Sequence, residues 1–321
     1  FPKKIDSEID IVILGMHSKK DNPELLRAQD LGLKIQSYPE FLSEISKNKT
    51  KIVIAGSHGK TTITSMIIHV LKYHGVDIDF MVGAPQININ ETLEISGENN
   101  FILIEGDEYF SSPIDSKPKF LWYKPEIALI SGIAWDHINV YPLFDDYIEQ
   151  FNSFISSIRP GGILIFNEKD KLLKELVEKN SNLIKKIPYG ISNFFIDEGK
   201  TYLETSEGKI PLSIFGNHNL LNLSGAMWIS QMMGVNSSDF YEAIPTFRGA
   251  SKRLECLAKG RTSLLFNDFA HAPSKVKATV EAIDKQFFNF EITFCLELHT
   301  FSSLDLEFLN QYADTLKKTS N

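Results

Sequence analysis

The run Lys51-Ile-Val-Ile-Ala-Gly56-Ser-His-Gly59-Lys60-Thr61-Thr62 constrains the fold more than any other stretch, because it joins an apolar strand to a long helix through a glycine-rich turn. A strand that feeds a helix in this way is the building unit of an α/β sheet. It is also the outline of a phosphate site. Backbone N–H groups in such a turn and at the helix N-terminus converge on anionic oxygens, a lysine placed like Lys60 reaches β- and γ-phosphates, and the hydroxyl that follows ligates Mg²⁺. The spacing departs from the general G-x-x-x-x-G-K-[ST] rule, since the residue five before Gly59 is Ile54 and the upstream glycine is Gly56. A Gly-Lys-Thr triplet also arises by chance in a chain with 19 glycines, as an ordinary strand–turn–helix connection. Context decides for the phosphate loop: Ile63, Met66, Ile67, Val70 and Leu71 follow at the spacing of an amphipathic helix.

Around this unit, apolar runs and helical patterns alternate. Ahead of it lie a strand (Ile11 to Leu14), a helix (Asn22 to Leu31), a strand (Lys34 to Gln36) and a helix (Pro39 to Ser46). After it come strands Phe101 to Ile104 and Ile127 to Ser131, a helix Phe144 to Ile158, and a strand Ile163 to Phe166 behind the turn Pro160-Gly-Gly162. Alternation of this kind predicts a parallel sheet. Lys200 to Thr205 and Lys209 to Phe215 read as short strands between glycine turns, a small antiparallel insertion. A helix from Asn219 to Met233 is followed by strand Ser263 to Phe266, helix Pro273 to Gln286 and strand Glu291 to Cys295, with a helix-like pattern over 304–321. The expected class is α/β: a P-loop central domain (49–249) with a mostly parallel sheet and a small antiparallel insertion, flanked by partial Rossmann-like N-terminal (1–48) and C-terminal (250–321) domains. The abrupt start at Phe1-Pro-Lys-Lys and the lack of a strand after residue 304 make a fragment truncated at both ends the expectation.

Length and charge narrow the partners. The 321 residues leave room for two or three domains at about 100–200 residues each. A net charge of −8 argues against a nucleic-acid scaffold, whose affinity rests on a Lys/Arg surface. No apolar run approaches the roughly 18 residues of a membrane span, and no signal peptide is visible, so a cytoplasmic protein without a nucleic-acid or membrane partner is expected. Cys256 and Cys295 lack metal-type spacing and read as reduced core residues. No sequence feature fixes an oligomeric state. Positive potential for an anionic ligand must come from Lys60, Arg253 and helix N-termini.

Two further loops carry chemistry. Glu105-Gly-Asp-Glu-Tyr109 follows the strand Phe101 to Ile104, and carboxylates at the carboxyl end of a strand beside a P-loop usually hold Mg²⁺. Gly132-Ile-Ala-Trp-Asp136-His137 follows the next strand. An isolated Asp-His pair is commonly a solvated turn, but this one ends a strand of the same inferred sheet. Lys60 with Thr61, Glu105 and His137 are therefore expected at one sheet edge.

Together these loops resemble the Mur ligase family, ATP-dependent amide-forming enzymes of peptidoglycan assembly. The short loop Gly56, Ser57, His58, Gly59, Lys60, Thr61, Thr62 is similar to that family's version of the P-loop, which accounts for the spacing. Gly216-Asn-His-Asn219 with Asn222, Phe247-Arg-Gly-Ala-Ser-Lys-Arg253-Leu-Glu, and Asn267-Asp268-Phe-Ala-His271-Ala-Pro extend the likeness in the family's order along nearly the whole chain. The resemblance implies ATP and Mg²⁺ as cofactors, with Lys60 on the γ-phosphate and Thr61, Glu105 and His137 as metal ligands. It implies that His218, Asn219 and Asn222 hold the adenine. Arg253 and Asp268 would close over the phosphates and ribose from the C-terminal domain, and the N-terminal segment would belong to a UDP-sugar-binding domain. Residue by residue the bland readings are a salt bridge from Arg253 to Glu255 and a helix-cap or turn role for Asn222.

The helix after Asp136-His137 contains no lysine, and none occurs between Lys124 and Lys169. The carbamylated lysine of several family members is thus missing, which points to the branch acting directly on UDP-N-acetylmuramic acid. Glu105 to Tyr109, Ser111 to Phe120 and Asp268-Phe-Ala-His271 look more like the murein peptide ligases, which join L-alanyl-γ-D-glutamyl-meso-diaminopimelate to that sugar nucleotide in peptidoglycan recycling. The alternative is the L-alanine-adding branch, whose arginines are replaced here by Leu298-His299-Thr300-Phe301-Ser302-Ser303. The implied chemistry is attack of the muramyl carboxylate on the γ-phosphate and displacement of phosphate from the acyl phosphate by an amine, with His271 orienting substrate or accepting the amine proton. A folate polyglutamylating ligase shares the short loop but carries the carbamylated lysine. From another class, a nucleotide-dependent P-loop switch has little use for a second metal site.

Overall fold

In a computed structural model of the chain, the residues described are 2–85, 91–298, 300, 302–304, 306–313 and 315–316. An N-terminal segment pairs β1 (Val12–Leu14) in parallel with β2 (Ile35–Ser37) and packs α1 (Pro23–Asp30) and α2 (Tyr38–Ile45) against them. Asn22 starts α1 by accepting from Glu24 N–H and Leu25 N–H, and Ser37 with Glu40 forms a capping box at α2.

The centre is a seven-stranded sheet in the order β11-β10-β9-β3-β6-β4-β5. In chain order its members are β3 (Thr50–Ala55), β4 (Asp79–Met81), β5 (Leu93–Glu94), β6 (Phe101–Glu105), β9 (Ile127–Ile130), β10 (Ile163–Asn167) and β11 (Lys185–Tyr189). All pair in parallel except β5. The hairpin β7 (Phe110–Ser112) and β8 (Asp115–Pro118) lies outside this sheet. The strand β3 sits between β6 and β9, with Ile54 level with Glu105 and Ala55 level with Ile130. The three loops leaving these strands therefore emerge side by side, where ligands settle in open α/β sheets.

The helix α3 (Lys60–Tyr73) is buried nearly all round: Ile63, Met66, Ile67, Ile68, Val70 and Leu71 show no exposed surface. The amphipathic stripe expected from the sequence is thus broader, because α3 lies between the sheet and α6 (Asn217–Met232). Its N-cap, Gly59, makes no side-chain cap bond. A glycine cap costs only a few tenths of a kcal/mol against a side-chain cap, while each large apolar side chain buried contributes about 1.5–3 kcal/mol, so packing holds this helix. The opposite sheet face is covered by α4 (Phe144–Ser157) and α5 (Lys171–Lys179), with Phe120 stacked on Phe154 at 4.6 Å.

The insertion forms three antiparallel strands, β12 (Phe194–Asp197), β13 (Lys200–Thr205) and β14 (Gly208–Leu212), one more than the sequence suggests. After α7 (Ser237–Ala243), the C-terminal segment adds the hairpin β15 (Glu255–Lys259) and β16 (Leu264–Asn267), then α8 (Pro273–Gln286). The strand expected over Glu291 to Cys295 does not form, and Cys256 and Cys295 are exposed free thiols, not core residues. Four of the five residues of β15 are exposed, and no strand of the described residues covers that face. Of the helix-like pattern over 304–321, the described part holds the short α9 (Leu306–Leu309), and residues 305, 314 and 317–321 lie outside the described residues, as do His299 and Phe301. No described helix is long and apolar enough to cross a membrane.

Candidate nucleotide and metal site

The turn between β3 and α3 is fixed by its glycines and by Ser131. Gly56 and Gly59 have φ of 122° and 79°, the left-handed region that glycine enters without steric penalty. The Ser131 hydroxyl, at the end of β9, donates to the His58 carbonyl, and Ser57 N–H donates to Gly132 O at 3.0 Å. The neighbouring strand thus shapes the phosphate loop.

Lys60 extends from the first turn of α3 to Glu108, with Nζ 2.5 Å from Oε2. Glu108 has no exposed side-chain surface, and its Oε1 accepts from Tyr147 OH at 2.8 Å and faces His137 Nε2 at 3.6 Å. Burial alone would raise the Glu108 pKa, but Lys60 and His137 reverse this and hold it well below the usual carboxylate range. Burial likewise opposes the charge on Lys60 and on His137, and in both the acidic neighbours win, so both pKa values are raised. Glu105 occupies a different place. Its Oε1 accepts from Thr61 Oγ1 at 2.8 Å and its Oε2 from Gly83 N–H at 2.7 Å, and burial raises its pKa.

One ligand atom each from Asp107, Glu108 and His137 lie within 4.8 Å of one another. Two hard oxygen donors beside a phosphate loop suit a cation such as Mg²⁺. The resemblance implies His137 and Glu105 as metal ligands; in the structure His137 faces Glu108, while Glu105 is engaged by Thr61 and Gly83. The signal for Glu108 was present in the same Glu-Gly-Asp-Glu run, since the chain turns after β6 and brings the second glutamate back beneath Lys60.

A cavity of about 330 Å³ runs from the phosphate loop, residues Ser57 to Thr62, to the C-terminal segment. From α6 it is lined by His218, Asn219 and Asn222, and from the C-terminal segment by Arg253 and Asp268. Gly56, His137 and His271 are not among its lining residues. Burial lowers the pKa of His218 and keeps its ring neutral. Asn219 Nδ2 donates to Phe215 O at 3.0 Å. Asn222 faces Gly59 so closely that a Cβ there would lie 2.2 Å from its Oδ1. The Arg253 guanidinium lies over the Phe269 ring at 5.1 Å, while Glu255 accepts from Lys252 N–H. Asp268 accepts from Leu254 N–H at 3.2 Å and from the Thr279 hydroxyl, so its carboxylate also ties β16 to α8. His271 Nδ1 lies 2.8 Å from Phe269 O, which makes it the protonated nitrogen; burial, with Lys275, lowers its pKa to about 4.

A phosphate-loop motif at the centre of a mostly parallel sheet, flanked by acidic and histidine loops and facing a cavity, defines a P-loop α/β protein. The family profile of the Mur ligase middle domain matches residues 54–230. The chain is 32% identical to the UDP-N-acetylmuramate–L-alanine ligase of Caldicellulosiruptor bescii, over 95% of this chain and 68% of the relative. It is 29% identical to the enzyme of the same name from Carboxydothermus hydrogenoformans, over 87% of this chain and 61% of that one. It therefore belongs to the Mur ligase family, and it spans about two thirds of the length of these relatives. Its fold is shared with the crystal structure of a murein peptide ligase from Psychrobacter arcticus, at 23% identity and a TM-score of 0.70, covering 95% of this chain and 70% of that one.

Proposed function

We propose that this chain is the nucleotide-binding part of an ATP-dependent, ADP-forming ligase that joins the carboxylate of UDP-N-acetylmuramic acid to L-alanine. The observation that carries the reaction class is the convergence of Lys60, Thr61, Glu108 and His137 on one sheet edge beside the cavity of about 330 Å³. The choice of amine rests on similarity to relatives named for L-alanine at 29–32% identity. The tripeptide favoured from Glu105 to Tyr109, Asp268 to His271 and the Ser111 to Phe120 region becomes the second reading. That region forms the β7–β8 hairpin and its continuation, with Lys119 Nζ 2.5 Å from Asp107 Oδ2.

In this reading a muramyl carboxylate oxygen attacks the γ-phosphorus, the bond to the β–γ bridging oxygen breaks, and ADP leaves. The amine nitrogen then attacks the acyl carbon, phosphate departs and the nitrogen loses a proton. Such chemistry needs positioning and charge neutralisation more than a nucleophilic side chain. Lys60 supplies a fixed cation whose raised pKa keeps it charged, and the turn amides bind anionic oxygens. When bound, Mg²⁺ would be held by Asp107, Glu108 and His137, with Thr61 and Glu105 beside them, and would offset charge on the transferring phosphoryl group. His271, neutral but with a pKa near 4, is a weak proton acceptor and is better suited to orienting substrate.

The test is ADP release with Mg²⁺-ATP and UDP-N-acetylmuramic acid, using the full-length protein and either L-alanine or the tripeptide. Release with L-alanine alone supports the proposal, release with tripeptide alone moves it to the recycling reaction, and silence with both, while ATP still binds, favours a P-loop switch.

A further inference from the structure

The N-terminal end of α8 enters the candidate site and brings a lysine for which the roles above leave no place. Ser274 Oγ meets His58 Nε2 of the phosphate loop at 2.8 Å. The next residue, Lys275, donates from Nζ to Asp136 Oδ2 at 2.9 Å, and its side chain lines the same cavity as Lys60 and Arg253. Asp136 is almost fully buried and is engaged on both oxygens, because Oδ1 accepts the His137 N–H at 2.8 Å. His137 needs that hold. Its φ of 57° is left-handed, a strained conformation for a residue with a side chain, and from it the ring faces Glu108 Oε1.

We propose that Lys275 is a positioning residue that fixes the Asp136–His137 turn against Glu108 and holds the C-terminal segment, with Arg253 and Asp268, over the phosphate loop. The proposal rests on reading the cavity as a Mg²⁺–nucleotide site. Its physical basis is charge: a buried aspartate that loses its cation is left uncompensated, here with the Glu108 carboxylate nearby. The turn then relaxes, and the strained His137 loses its anchor. A lysine that merely glued two surfaces would affect stability and leave metal binding alone.

The chain, Lys275→Met, Lys275→Arg, Asp136→Asn and the Lys275→Met/Asp136→Asn double variant are titrated with Mn²⁺ in the presence of ATP. Bound metal is followed by electron paramagnetic resonance, with thermal unfolding as a check that each variant is folded. Lys275→Met and Asp136→Asn each weaken Mn²⁺–ATP binding by about tenfold, within the range of coupling between linked sites. The double variant is no weaker than either single one, as expected for residues acting as a unit, and Lys275→Arg stays within about threefold of the parent chain. Lys275→Gln carries the same expectation as the methionine variant where the latter does not fold. Parent-like binding by Lys275→Met, additive losses in the double variant, or an arginine variant as weak as methionine overturns the proposal. A parent chain that binds no Mn²⁺–ATP overturns instead the nucleotide reading beneath it.

Discussion

Lys60 Nζ and Glu108 Oε2 lie 2.5 Å apart, and the glutamate has no exposed side-chain surface. The phosphate-loop lysine is thus held by a carboxylate that also faces His137, so two cationic side chains share one buried anion. Removing one partner of a buried pair costs about 3–5 kcal/mol because the other is left uncompensated. Lys60→Ala is expected near the low end, since Tyr147 OH and His137 still face Glu108. Urea unfolding should therefore show a folded chain about 3 kcal/mol less stable, and calorimetry should show loss of ATP binding. Unchanged stability would contradict the pairing.

The half-buried imidazole of His58 makes stability depend on pH. Burial, with Lys275, lowers its pKa from 6.5 to about 4, so the folded chain keeps the ring neutral where the unfolded chain protonates it. The unfolded state then binds more protons between these values, and stability is full above pH 6.5 and is lost as pH falls towards 4. Urea unfolding at several pH values should give a shallower slope in that window for His58→Gln, by up to about 1.4 kcal/mol per pH unit, the linkage slope for one proton. An identical slope in the variant would place the acid sensitivity elsewhere.

Gly56 is the least replaceable residue of the loop. A Cβ there would lie 2.2 Å from Ser131 Oγ and 2.9 Å from Ser131 N, at a φ of 122°. Backbone cannot yield as a flexible side chain can, so Gly56→Ala must move the loop away from β9. A loss of more than about 2 kcal/mol, with loss of nucleotide binding, is the expected outcome of thermal unfolding and calorimetry. Gly75→Ala is the control: its φ is 68°, but a Cβ meets nothing within 4 Å, so it costs about 1–2 kcal/mol and leaves nucleotide binding intact.

What the sequence disclosed and what it hid have different physical origins. The phosphate loop was legible because the chemistry lies in consecutive residues, and the parallel sheet because buried strands such as Ile52 to Ala55 read as continuous apolar runs. Glu108 is hard to single out from sequence because its contacts with Lys60, Tyr147 and His137 come from a turn after β6, not from its place in a strand. Lys275 was invisible for a stronger reason: its partner Asp136 is 139 positions away, and nothing local marks either as half of a pair. The strand expected at Glu291 to Cys295 failed because an apolar run becomes a strand only where a neighbouring strand accepts its backbone bonds.

The far end of α8 supplies the remaining prediction. Gln286 is 4% exposed, donates from Nε2 to Gly199 O at 2.6 Å, and accepts from Thr201 Oγ1 at 3.0 Å. Lys285 adds a cation–π contact, with Nζ 4.9 Å from the centre of the Phe194 ring. The antiparallel insertion is therefore a seat for one end of α8, while Ser274 and Lys275 fasten the other end to the phosphate loop and Asp136. Gln286→Leu keeps the volume but removes the partner of the exposed Gly199 carbonyl and leaves the buried Thr201 hydroxyl unsatisfied, at about 1–3 kcal/mol for that hydroxyl. Because the loss falls on one attachment and not on the sheet, it should appear as local opening. Hydrogen exchange is expected to quicken along α8 and in the β12–β13 turn while β3 and β6 keep their protection. Equal quickening in all of these elements would mean that α8 opens only with the whole fold, and that the insertion is no separate seat.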